Sequence, residues 1–335
     1  MTETTRLRVG SLPHGPRNLL SDVPGVTVGH CTVDEGDCHT GVTVVLPHGG
    51  NLFTEKVTAA SCVFNGYGKT LGLVQVEELG TIETPIALTN TLNVGRVHDA
   101  LVSVMAERCA RDGVRLTSVN PVVCECNDAC MSDIVRRPVG EAEVRQALAA
   151  ASADFAQGAV GAGRGTICYG MKGGIGSSSR LMELDGKTYT IGVLVQSNYG
   201  ASADFRAVCL PEGLAECDQG SIILIAATDL PLSSRQLRRV LRRASVGMAR
   251  LGSYIGHGSG EIAVGFTTAP KEKRSDSFQT QTVLREDLMN LPFRAIGECA
   301  EEAILQSLWH AAPDQGLDGT SIPSLREFLK GRKPV

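Results

Sequence analysis

The run SIILIAATD, residues 221–229, constrains this chain more than any other stretch. It is among the most β-prone apolar segments present, and a small hydroxyl residue heads it. The preceding PEGLAECDQG is polar, carries Pro and Gly, and reads as an exposed loop. Further strands are expected in LLSDVPGVTVGHCTV (after a turn at Pro24–Gly25), GVTVVLP, ASCVFNGYGK, TLGLVQVEEL, PIALTNT, TYTIGVLVQSN and EIAVGFTTA. Helical spacing covers 94–112, with Leu101, Val104 and Met105 on one face and Gly113 as C-cap. Helices are also expected over 141–155, over 233–251 after Pro231 and Ser233 or Ser234, and over 294–311. Strands and helices come in batches rather than in βαβ alternation, which predicts a layered α+β sandwich and not a doubly wound sheet. No repeat, linker or low-complexity tract divides residues 1–335, so one domain is expected.

Composition narrows the function. Hydrophobic residues make up 42% but aromatics only 4%, so the core is aliphatic. A net charge of −4, with no basic run interleaved with aromatics, argues against nucleic-acid binding. The Arg-rich RQLRRVLRRAS reads as the solvated face of a helix. Neither a signal-peptide core nor a long apolar run is present, which leads to the expectation of a cytoplasmic protein with no membrane partner. Eleven cysteines, an odd number without a secretory signal, fit reduced thiols. Cys124, Cys126 and Cys130 form C-x-C-x3-C, and His30-Cys31 with Cys38-His39 form a second group. Neither has the paired C-x2-C spacing of structural zinc, so no metal is expected. The Gly-rich centre GAVGAGRGTICYGMKGGIGSSSR lacks the full dinucleotide and P-loop spacings, and HGSGE is not a nucleophile elbow; no cofactor is expected.

Hydroxyls and carboxylates at strand ends carry the chemistry. Cutting the Gly220–Ser221 bond would leave Ser221 with a hydroxyl and a free α-amine on one strand end, the arrangement used in N-terminal nucleophile catalysis. Taken alone, the dipeptide reads first as a loop-to-strand junction where Ser is a good turn residue. Ser259 and Glu261 in GHGSGEIAV stand two residues apart and share a strand face, where they could orient a hydroxyl and move protons; a Gly-rich turn is the plainer alternative. Asn198 ends a strand, and its amide could donate to an oxyanion. Glu125, Asn127 and Asp128 follow an apolar strand, where carboxylates could hold a cationic amine or where an Asx turn could form.

Together, LLSDVPGVTVGH, TGVTVVLPHGGNLFTEKV, NGYGK, QVEELGTIETPIALTNTLNVGRV, NPVVCECNDACMSDI, YGMKGGIGSSSR, IGVLVQSNYG, GSIILIAATDLPL and GHGSGEIAVGFTTA resemble the L-aminopeptidase/D-esterase family, which includes the β-peptidyl aminopeptidases. The resemblance runs in order from about Leu20 to Ala269 and fades after Pro270. It implies an αββα sandwich of the N-terminal-nucleophile-hydrolase kind and self-cleavage into an α chain 1–220 and a β chain 221–335. It also implies a homotetramer of cleaved units. By the same resemblance Ser221 is the nucleophile, Ser259 and Glu261 assist it in one active centre, Asn198 holds the oxyanion and Glu125 meets the substrate amine. Asn127 stands where some members carry an assisting tyrosine. The implied activity is a serine aminopeptidase acting on short peptides, amides or esters with a free amine. A related amidase for a non-peptide amide (pantetheine-like or polyamide-type) and a non-catalytic small-molecule binding protein are the alternatives.

Overall fold

Two β-sheets lie face to face with helices on both outer faces, in a computed structural model that describes residues 9–206, 219–273, 277 and 281–330. Most of the expected PEGLAECDQG loop, residues 211–218, lies outside the described residues. Strands β1 (Thr27–Glu35), β2 (Cys38–Leu46), β5 (Ile86–Asn90) and β6 (Val122–Cys126) form the smaller sheet in that order. The larger sheet has the order β4-β3-β12-β11-β10-β9. Its strands are β4 (Thr81–Ile82), β3 (Glu55–Gly66), β12 (Gly258–Lys273), β11 (Gln219–Thr228), β10 (Lys187–Asn198) and β9 (Gly174–Leu184). A short pair, β7 (Ile167–Cys168) and β8 (Met171–Lys172), stands apart from both.

The apolar runs exist because the larger sheet is buried on both faces. Along β11, Ile222, Leu224 and Ala226 face the helices, while Ile223, Ile225 and Ala227 face the other sheet. On the helix side they meet α4 (Ser234–Leu241), α5 (Ala244–Arg250) and α6 (Asn290–Trp309) through Leu237, Met248, Ile296 and Ile304. Between the sheets they meet Val45, Leu88, Val122 and Cys124. Helices α2 (Val94–Arg111) and α3 (Glu141–Ala149) seal the smaller sheet, with Val97, Leu101, Val144 and Ala147 on Val42 and Val44. The four layers are those the sequence predicts. Two short helices, α1 (Leu73–Leu79) and α7 (Leu325–Leu329), complete the set, and among the described residues no helix is long and apolar enough to cross a membrane.

Four elements depart from expectation. TLGLVQVEEL is not a strand: Gly72 and Gly80, both left-handed, close off helix α1 between them. The helix from Glu141 stops at Ala149 because Ser152 turns away to exchange two backbone hydrogen bonds with Val28. The span 233–251 holds two helices; Ser233 caps the first by accepting from the Gln236 N–H at 3.3 Å. Finally, GIGSSSR opens the eleven-residue strand β9. Its residues are small because α6 lies directly on it: a side chain at Gly176 would meet the Ala303 carbonyl at 2.0 Å.

One buried ionic cluster ties the amino-terminal segment to this layer. Arg180 on β9, fully buried, donates to Glu298 at 3.2 Å, to Glu302 at 2.6 Å and to the Val9 carbonyl at 2.7 Å. Glu298 also accepts from the Ser11 and Leu12 N–H groups, and Glu302 from Asn18. Removing the guanidinium strands two buried carboxylates. Arg180→Met should therefore lose about 3–5 kcal/mol of stability in urea unfolding, far more than an exposed arginine substitution.

Candidate active site

A cavity of about 850 Å³ opens where the carboxyl end of β10 meets the start of β11. Ser221, Asn198, Gly220, Glu125 and Asn127 all line it. Antiparallel register sets Asn198 directly across from Ser221, so their side chains share the face turned toward the smaller sheet. Ser221 is buried, at 4% exposure.

The Asn198 amide is held in one orientation. Its Oδ1 accepts from the Ile167 N–H at 2.9 Å, which leaves Nδ2 as the donor for the cavity. The strip bearing Ile167 is fixed in turn by Lys172, fully buried, whose Nζ donates to the carbonyls of Thr166 at 2.7 Å, Gly173 at 3.0 Å and Gly163 at 3.3 Å. Burial pulls the Lys172 pKa down to about 7.

Glu125 ends β6 with its carboxylate at the cavity. Oε1 accepts from the Lys69 N–H at 2.9 Å and Oε2 from the Thr91 hydroxyl. These two donors fix the orientation of the carboxylate at the cavity edge. Tyr67 and Lys69, from the segment after β3, roof the cavity, and His257 lines its other edge. Thr91, Lys69 and His257 carry no local signal of their own in the sequence. The only cue is that they fall within the motif segments PIALTNTLNVGRV, NGYGK and GHGSGEIAV.

Gly220 is where the backbone is most constrained. Its φ is +123°, and a side chain there would meet the Asn198 carbonyl at 2.0 Å. Glycine alone fits both conditions.

Ser259 and Glu261 do share a face, but their side chains do not enter the cavity. Parallel pairing puts Gly220 beside Ser259, Ser221 beside Gly260 and Ile222 beside Glu261. Gly260 thus occupies the cavity face: a Cβ built on it would lie 3.5 Å from the Ser221 Cβ. Ser259 and Glu261 fall on the helix-covered face with Ile222, both wholly buried. The Ser259 hydroxyl finds no hydrogen-bond partner among the described residues. Such a group costs about 1–3 kcal/mol when left unpaired.

The remaining acidic-turn residues separate. Asn127 is exposed on the cavity rim, and its Oδ1 accepts from the Ala129 N–H at 2.9 Å, an Asx turn. Asp128 points inward to Asn90 Nδ2 at 3.1 Å and is buried. Of the three cysteines, Cys124 and Cys126 are fully buried on the inter-sheet face, and Cys130 is exposed at the cavity.

A strand-end serine in an αββα sandwich, opposite an oriented amide and a hydrogen-bonded carboxylate, places the chain in the Ntn-hydrolase-like class. The fold superposes on the L-aminopeptidase D-Ala-esterase/amidase of Ochrobactrum anthropi, described as a prototype serine aminopeptidase and a variant of the Ntn hydrolase fold. That match has a TM-score of 0.88 and 34% identity over 96% of both chains. The chain belongs to peptidase family S58, matched over residues 18–322. It is 37% identical to the β-peptidyl aminopeptidase BapA of Sphingosinicella microcystinivorans over 93% of this chain and 86% of that protein. The PH0078 protein of Pyrococcus horikoshii is 43% identical, with a TM-score of 0.90 over 96% of both chains.

Asp128 gives a test of this geometry. Burial raises its pKa from 3.8 to about 6, against the pull of hydrogen bonds from Thr40 and Asn90. The folded protein therefore holds this proton more tightly than the unfolded chain. The resulting stabilisation is present below the unfolded value of 3.8 and is lost as the pH rises through about 6. Asp128→Asn keeps an acceptor for Asn90 and removes the titration. The melting temperature of the variant should gain on the parent between about pH 4 and about pH 7.5.

Proposed function

We propose that this chain is a self-processing serine aminopeptidase that releases the N-terminal residue of short peptides, amino-acid amides or esters through an acyl-enzyme on Ser221. The observation that carries the reading is the single cavity that joins a strand-end serine, a free amide donor and an anchored carboxylate. The activities for which the relatives are named, β-peptidyl aminopeptidase and L-aminopeptidase D-Ala-esterase/amidase, agree with it.

Maturation starts with the Ser221 Oγ attacking the Gly220 carbonyl carbon. The Gly220–Ser221 C–N bond breaks, the nitrogen takes up the hydroxyl proton, and an ester forms. Water hydrolyses that ester to give a Gly220 carboxylate and a Ser221 with free hydroxyl and amine. Glycine at position 220 suits this step, because it tolerates the positive φ that the bond before Ser221 requires.

In turnover the freed amine acts as base. Its reference pKa of about 7.7–8 leaves part of it neutral near neutral pH. The Ser221 nitrogen lies within the sheet, between the registers of Ser259 and Glu261. The substrate reaches it from the cavity, and these two side chains reach it from the helix side, where the unpaired Ser259 hydroxyl gains a partner. The amine takes the Ser221 hydroxyl proton as Oγ attacks the substrate carbonyl. Asn198 Nδ2 donates to the oxyanion, a contact worth about 3–4 kcal/mol in comparable sites. The proton passes to the departing amine, and water then releases the acyl group. Glu125 holds the ammonium of the substrate throughout.

Intact mass and denaturing gels should show two chains parted between Gly220 and Ser221. Full turnover by an uncut chain would falsify the mechanism. Ser221→Ala should remain one chain and be inactive. Activity should rise with pH through about 8 as the amine loses its proton. Glu125→Gln should lower kcat/KM for amine-bearing substrates roughly ten- to a hundredfold while sparing amine-free esters. An equal loss on both would remove its role, and activity on amides lacking an amine would favour the related-amidase reading.

A further inference from the structure

Consecutive residues at the end of β6 face different parts of the site. Glu125 meets the cavity, while Cys126 reaches across the gap between the sheets to the strands beneath the nucleophile. Its Sγ lies 3.4 Å from the Ser221 carbonyl oxygen and 3.4 Å from the Gln196 carbonyl oxygen, so one S–H serves β11 and β10 together. The residue is wholly buried. Burial pushes its thiol well above the ordinary range. A thiol held protonated in this way is no rival nucleophile; what it supplies is a weak donor and a soft, weak acceptor.

We propose that Cys126 is a positioning residue for Ser221, gripping the backbone carbonyl of the nucleophile from the opposite sheet. A sulfur suits that task. A carboxylate in its place would turn acceptors toward both carbonyls, whereas an alkyl group would leave them without this donor. The role covers both self-cleavage and turnover, since the same oxygen attacks in each, and it rests on the serine mechanism proposed above.

The test compares the full-length parent chain with Cys126→Val, Cys126→Ala and Cys126→Ser. The measurements are the rate of chain parting by intact mass, kcat and KM on an amine-bearing dipeptide amide, and the melting temperature. The valine and alanine variants should part and turn over about ten- to a hundredfold more slowly at unchanged KM. The serine variant, which restores a donor and an acceptor, should recover most of both rates. Cleavage and kcat within twofold of the parent in Cys126→Val or Cys126→Ala would overturn the proposal. So would a fall in melting temperature without a fall in kcat. Should valine and alanine fail to fold, a serine variant as impaired in kcat as they are in stability also overturns it. A parent chain that neither parts nor turns over brings down the serine mechanism itself, so the two failures are told apart.

Discussion

The parallel pairing of β11 with β12 is the constraint on which the site depends. It fixes which residue stands beside which: Gly260 next to Ser221 on the cavity face, with Ser259 and Glu261 on the helix face. Because side chains alternate along a strand, a slip of one residue would exchange those faces. Ser221 would then be buried under the helices if β11 moved, or Glu261 would stand in the cavity if β12 moved. The apolar residues that follow resist such a slip, since Ile223, Ile225 and Ala227 are packed between the sheets while Ile222 and Leu224 are packed under the helices. The same burial that stabilises the strand therefore aims its first residue.

Polar side chains hold the layers at fixed spacing where apolar packing alone would allow sliding. Gln196 Nε2 spans the inter-sheet gap to the carbonyls of Thr89 and Ala162, and Cys126 crosses it in the other direction. Lys172 anchors the strip that orients Asn198, and Arg180 fastens the segment before β1 to α6. Each of these groups is buried, and each offsets the cost of its burial by meeting two or more partners.

Much of this was legible in the sequence, for reasons that differ by element. Ser221, Asn198 and Glu125 stand at ends of strongly apolar strands, where a polar residue is conspicuous, and the structure gathers all three at one cavity. The shared face of Ser259 and Glu261 followed from their spacing; which face it was did not, because register is a relation between strands and not a property of one. Strand β9 was hidden by its own packing, since Gly176 and Ser178 lie close beneath α6 and neither residue type signals a strand. Helix α1 imitated a strand because it is only seven residues long and its valines alternate with polar residues. Cys126 could be seen as one of three cysteines, but its neighbour Ser221 lies 95 positions away on another sheet.

The order of strands in the larger sheet would decide the fate of the molecule if its chain parted as proposed. Residues 221–335 supply nearly all of β11 and all of β12, the two central strands, while residues before 221 supply β10 on one side and β3 on the other. Two such fragments would be interleaved like the fingers of clasped hands, and neither could leave without unzipping hydrogen bonds along two strand edges. Native size would not change on processing. Unfolding, however, would become a one-way event: a continuous chain returns to this order by folding alone, whereas two separated pieces must first find each other and then insert one pair of strands between the other's.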